Sequence, residues 1–141
     1  MLVSGLPDIV ADDEDLARFL TSSSQFNARM VKPAAFLPSA RSRETSVFRH
    51  GSDPSDALWA IADIHMAEGR TLHGAAIVKA LQVRAASLDV IAAEPPPRHA
   101  AIVGWPWLDS DAELQKAQQK QRATLIASKA ALLPRSPAMP R

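Results

Sequence analysis

The residues of this chain best suited to chemistry are one histidine and three arginines set beside apolar segments. His99 follows the proline run 95–97 and opens the apolar stretch 100–103. A histidine held there in one orientation titrates near neutrality, as a general acid or base must, which makes His99 the candidate catalytic residue. The plainer role is a strand-end ring bonded to a nearby carbonyl. Arg49 closes the stretch Thr45-Ser46-Val47-Phe48, and Arg84 and Arg98 flank later apolar segments. Gathered at one sheet edge, Arg49, Arg84, Arg98 and His99 would form a ligand-binding cluster for phosphate or carboxylate. A guanidinium fork grips such anions through two parallel hydrogen bonds. The competing arrangement pairs Arg49, Arg84 and Arg98 with Glu44, Asp89 and Glu94 on the surface.

Other chemistry finds less support. Lys32 stands on the backbone fixed by Pro33, as an anion contact or simply as an exposed lysine. Ser22, Ser23 and Ser24 have no Gly-x-Ser-x-Gly elbow around them and read as the close of a first helix. Ser46 reads as a strand hydroxyl. The histidines at 50, 65, 73 and 99 lack ligand spacing, so no metal is expected, and no cofactor. The absence of cysteine excludes disulfides and thiolate metal sites. Trp59, Trp105 and Trp107 read as core or rim packing, because the basic residues do not alternate with them and the chain has no tyrosine. With a formal net charge of +1 there is no strong nucleic-acid signal.

The elements that must position these groups follow from pattern. At 141 residues the chain fits one domain, which should bury roughly 65–70% of its unfolded surface. Asp12 or Asp13 would cap a short helix through Leu16, Phe19 and Leu20. Residues 30–38 read as an extended edge segment bounded by Pro33 and Pro38. Residues 45–49 read as a strand. A helix capped by Ser52 or Asp53, with Pro54 in its first turn, carries the stripe Leu58, Ile61, Ile64 and Trp59 and stops near Glu68-Gly69. Strands follow at 74–79, 88–92 and 99–103, while 80–86 fits strand or helix. A long helix over about 110–133 starts at the capping box Ser110-Asp111-Ala112-Glu113, with Leu114, Ala117, Leu125, Ser128 and Leu132 on one face. Residues 134–141, with Pro134, Pro137 and Pro140, read as a flexible proline-rich tail beyond a single domain over 1–133. The fold class expected is α+β: a small mixed or antiparallel sheet of three to five strands, one packed helix and the long C-terminal helix. Its expected core is Val47, Phe48, Leu58, Ile61, Ile64, Ile77, Val90, Ile102 and Val103. The acidic N-terminal segment (Asp8, Asp12, Asp13, Glu14, Asp15) and the basic C-terminal one are either separately solvated or close enough to attract.

Several short words along residues 14–106 are similar to a broad set of small bacterial proteins of unassigned function. They are KPAAF (32–36), ETSVFR (44–49), VRAASLDV (83–90) and EPPPRHAAIVGWP (94–106). The resemblance implies a small bacterial fold and attaches no activity to it. Two functional readings follow from the residues. One is a non-catalytic binding or accessory module that meets a protein partner, or a second copy of itself, through the C-terminal helix. The other is a small enzyme or binder of a phosphorylated or nucleotide ligand that uses the arginine–histidine cluster. The N-terminus does not read as a signal peptide and the apolar runs are too short to cross a bilayer, so the expected location is cytoplasmic, away from membranes.

Overall fold

A computed structural model of the chain describes residues 2–50, 55–65 and 70–135. In chain order these form β1 (Asp15–Leu20), β2 (Thr45–Arg49), α1 (Ser55–His65), β3 (Gly74–Lys79), α2 (Ala80–Ala85), β4 (Asp89–Ala92), β5 (His99–Val103), α3 (Ala112–Lys129) and β6 (Ala131–Pro134). Two 3-10 turns, Ser23–Gln25 and Pro33–Ala35, lie between β1 and β2. The strands make one six-stranded sheet in the order β4-β5-β2-β1-β3-β6. Every pairing is antiparallel. The architecture is α+β, with a sheet one strand larger than the upper expectation. Among the described residues no helix is long and apolar enough to cross a membrane.

The two sheet faces bury unequal cores. On one face Leu16, Val47, Val78, Val90 and Ile102 pack with Val83 of α2, Ile126 of α3 and Phe36. On the other, Ala17, Ala75 and Leu58 of α1 form a small cluster edged by Phe19, Trp59, Ile77 and Leu133. This explains why residues 15–20 are a strand rather than the expected helix. Leu16, Ala17, Phe19 and Leu20 satisfy helical spacing. A central strand covered on both faces also needs apolar residues at successive positions. β3 pairs with β1 from Asp15 to Leu20, and β2 pairs with it at Leu16 and Ala17.

The segment 30–38 is likewise corrected. Pro33 opens a 3-10 turn instead of holding an edge strand, with the Ala35 amide bonded to the Lys32 carbonyl at 3.0 Å. The turn sends Ala35 and Phe36 into the main core, and the buried Thr45 hydroxyl donates to the Phe36 carbonyl at 2.7 Å. Strands 45–49, 74–79 and 99–103 stand where expected, the fourth runs over Asp89–Ala92, and 80–85 resolves as helix.

α1 is helical as expected, but its capping residues and its stop near 68–69 lie outside the described residues. Its buried side chains are Leu58 and Ala62, one turn apart; Trp59 and Ile61 are half-buried and Ile64 is 74% exposed. Ile64 therefore leaves the expected core, and Ile61, Ile77 and Val103 are only half-buried. Val47, Phe48, Leu58, Val90 and Ile102 are core residues.

α3 begins one residue later than the capping box implied. Asp111, not Ser110, is the cap, and its carboxylate accepts from the Leu114 amide at 3.0 Å. The buried face is Ala123, Ile126 and Ala127, whereas Leu114 and Leu125 are 47% and 51% exposed. Ile126 reaches the core, and the small alanines beside it let the helix lie close. The helix ends at Lys129, and the chain then pairs as β6 with β3. Leu132 turns to the main core and Leu133 to the smaller one, the alternation of an edge strand. Pro134 and Arg135 are accordingly not tail. Pro134 is in register with Gly74, and Arg135 forks onto Asp63 of α1 at 2.8 and 2.9 Å. Among the described residues no salt bridge joins the N-terminal acids to α3 or β6. Asp12, Glu14 and Asp15 pair with Arg84, Arg49 and Lys79 in the middle of the chain.

Candidate functional site

His99 is the first residue of β5 and stands in register with Phe48 of β2. The hairpin before it is tight: the His99 amide donates to the Pro96 carbonyl at 3.1 Å, and Arg98 adopts a left-handed φ of 70°. The Ala93 amide donates to the His99 carbonyl at 2.9 Å, and His99 Nδ1 lies 2.9 Å from the Ala93 carbonyl oxygen. A carbonyl oxygen only accepts, so Nδ1 carries the proton. In the neutral ring Nε2 is then a bare acceptor. Its partner is Ser46 Oγ, at 2.5 Å, two residues from Phe48 on the same strand face. Phe48 braces the ring edge-on, with centroids 5.3 Å apart. The plainer role foreseen for His99, a ring bonded to a carbonyl, is present. It is also the feature that aims Nε2 at a hydroxyl.

Ser46 lines a cavity of about 320 Å³ between α1 and the sheet, together with Arg18, Phe19, Phe48, His65 and Arg70. The cavity exists because β1 and β2 pair at just two positions, Leu16 with Arg49 and Ala17 with Phe48, and then diverge. The half-buried Arg18 guanidinium fills the opening. Its Nε donates to the Ala35 carbonyl at 2.8 Å and its Nη1 to the Ser46 carbonyl at 2.9 Å. Arg70 touches Thr21 Oγ1 at 3.2 Å. Neither arginine has a carboxylate partner among the described residues. Burial, and then the like charge of Arg70, lower the proton affinity of Arg18 below the usual arginine value. It nevertheless stays cationic at neutral pH.

The cluster expected from sequence is not gathered around one vacancy. Arg49 is fully buried, with Nε and Nη2 on the two Glu14 oxygens at 2.7 and 2.8 Å and Nη1 on the Pro7 carbonyl. Arg84 is held by Asp89 and Asp12 and by the carbonyls of Val10 and Val90. Arg98 donates to the carbonyls of Arg49 and His50, tying the β2 end to β5. None of the four lines the cavity; His99 is linked to it through its hydrogen bond to Ser46. Lys32 lines a different groove, of about 460 Å³, with Pro33, Leu37, Lys116 and Lys120. Among the described residues no group of three histidine or acidic side chains converges as a metal site would require.

Comparison with protein-family models, curated proteins and solved structures finds no match. The site is therefore read from its own chemistry. Arg18 and Arg70 escaped the sequence reading because the segment around Arg18 looked helical, which hides the strand pair that splays open beside it. From sequence alone Ser46 reads as a strand hydroxyl. Its one available signal was the spacing Ser46-x-Phe48, which puts both side chains on one strand face.

Proposed function

We propose that this protein binds a small phosphate- or carboxylate-bearing ligand in the cavity between α1 and the sheet. The observation that carries the reading is that Arg18 and Arg70 face one cavity with no carboxylate partner among the described residues. Two like charges held together cost energy, and an anion between them removes that cost while supplying acceptors for guanidinium donors. Ser46 and His65 add polar contacts, and the rings of Phe19 and Phe48 supply an apolar wall. The ligand chemistry matches the phosphorylated-ligand reading of the sequence, at a different pair of arginines. Calorimetric titration with inorganic phosphate and with succinate tests it. Binding should weaken roughly tenfold or more in Arg18→Met and in Arg70→Met. Equal affinity in both variants, or no heat at millimolar ligand, would refute it.

A second reading has one observation in its favour. Leu114 and Leu125 are both about half exposed, and eleven residues place them within about 20° of each other around α3. That stripe suits association through the C-terminal helix, with a protein partner or a second copy. Light scattering across a concentration series distinguishes the two-copy case: a dimer that Leu114→Lys with Leu125→Lys converts to monomer supports it, and a monomer throughout excludes it.

A further inference from the structure

We infer that Ser46 is a nucleophile activated by His99, and that the site transfers the acyl group of a small ester bearing a negative charge. The inference rests on the anion-binding reading for its substrate class, while its chemistry rests on the hydrogen-bond chain Ser46 Oγ to His99 Nε2 and His99 Nδ1 to the Ala93 carbonyl. A serine hydroxyl is a weak nucleophile unless a base takes its proton as it attacks, and a base works best when a third group fixes its tautomer. Here a backbone carbonyl fixes it. The carbonyl cannot be protonated under ordinary conditions, so the tautomer that points a lone pair at Ser46 is enforced whenever the ring is neutral.

The cavity supplies what the pair lacks. Ser46 is exposed and opens into it, so an ester can reach the hydroxyl. Arg18 is anchored to the Ser46 carbonyl through Nη1, and its Nη2 has no partner among the described residues. That group can stabilise the oxyanion that develops beside Ser46. Arg70 stands on the same cavity wall for the substrate's own charge. In the first step Ser46 Oγ bonds to the ester carbonyl carbon, its proton passes to His99 Nε2, and the carbonyl electron pair moves to oxygen. Collapse of that intermediate breaks the bond to the alcohol oxygen, which takes the proton from Nε2. The alcohol leaves and an acyl-Ser46 ester remains. Water then repeats the sequence with His99 as base, releasing the carboxylic acid and regenerating the hydroxyl. No electron is gained or lost, and water is the sole co-reactant.

The test uses 4-nitrophenyl hemisuccinate, whose acyl group carries a carboxylate, and neutral 4-nitrophenyl butyrate. The full chain should release a burst of nitrophenolate from the hemisuccinate, and intact-mass and peptide analysis should place one succinyl group on Ser46. Ser46→Ala, which removes only an exposed hydroxyl and whose fold circular dichroism checks, should abolish burst and label. His99→Gln should slow acylation by about 100-fold or more. Arg70→Met should reduce the preference for the charged ester roughly tenfold. Succinate that binds calorimetrically while Ser46 stays unlabelled overturns the nucleophile and leaves the anion site standing. Ser46 labelled equally by both esters, with no effect of Arg70→Met, overturns the anionic substrate class and leaves the nucleophile standing. A label that persists in Ser46→Ala overturns the assignment of Ser46.

Discussion

At the scale of single residues, the most consequential polar contact outside the cavity is Arg49 with Glu14. Arg49 has a side-chain exposure of 1% and Glu14 of 20%, so the pair sits against the core rather than on the surface. Partial burial pushes the Glu14 carboxyl up. The Arg49 hydrogen bond, the Ala11 amide and the charges of Arg49 and Arg84 outweigh it and hold the group below the usual glutamate range. A depressed carboxyl stabilises the fold above the unfolded-state value, about pH 4.3, and that contribution fades as the pH falls through the lower folded value. Glu14→Gln leaves Arg49 buried without its counter-charge and should cost about 3 kcal/mol at pH 7. In urea titrations repeated at successive pH values, the gap between wild type and variant should narrow as the pH drops below about 4.3. A gap that is constant with pH would mean that the pair contributes geometry rather than charge. The same contact, with the Pro7 carbonyl, engages all three guanidinium nitrogens of Arg49 inside the protein.

At the scale of elements, β6 shows how close approach is written into one residue. A Cβ added at Gly74 would lie 2.5 Å from the Leu133 carbonyl oxygen and 3.0 Å from Pro134 Cα, both backbone atoms that cannot swing aside. Gly74→Ala should therefore push β6 off β3 and destabilise by roughly 1–3 kcal/mol, the cost usual for overpacking. Faster amide exchange at residues 131–134 would show where the strain went, and an unchanged thermal midpoint would show that β6 is dispensable. β6 also marks where the sequence stopped being readable. Strands over 45–49, 74–79 and 99–103 announced themselves because β-branched and aromatic residues sit between breakers. β1 and β6 did not, because a strand buried on both faces and a contiguous Leu132-Leu133 pair carry no period-two polarity. Misreading β1 as a helix then hid Arg18, and with it the cavity. His99 was legible as a chemical candidate from the proline run before it. Its partner Ser46 was not, because the pairing register of β2 with β5 is a tertiary fact.

At the scale of the whole molecule, the sheet divides the protein into a large core under α2 and α3 and a small one under α1. Among the described residues the buried members of the smaller cluster are Leu58, Ala17 and Ala75, and a forked contact from Arg135 to Asp63 fastens α1 further. Elements with few buried apolar contacts open below the global unfolding free energy. α1 should therefore exchange its amides faster than β1, β2 and β5, and Arg135→Ala should speed that exchange further while leaving the sheet protected. The cavity lies under this same helix, with Ala62 and His65 in its lining, so opening of α1 would remove part of its wall. A ligand that binds only the closed form stabilises it by about 1.4 kcal/mol when present at ten times its dissociation constant. Saturating phosphate should thus slow exchange in α1 by roughly tenfold and leave β4 and α3, on the other side of the molecule's energetic divide, unaffected. Hydrogen exchange followed by mass spectrometry, with and without phosphate, reads both regions in one experiment. Slowing that is equal across every element would indicate a general salt effect, and no slowing in α1 would separate the helix from the site.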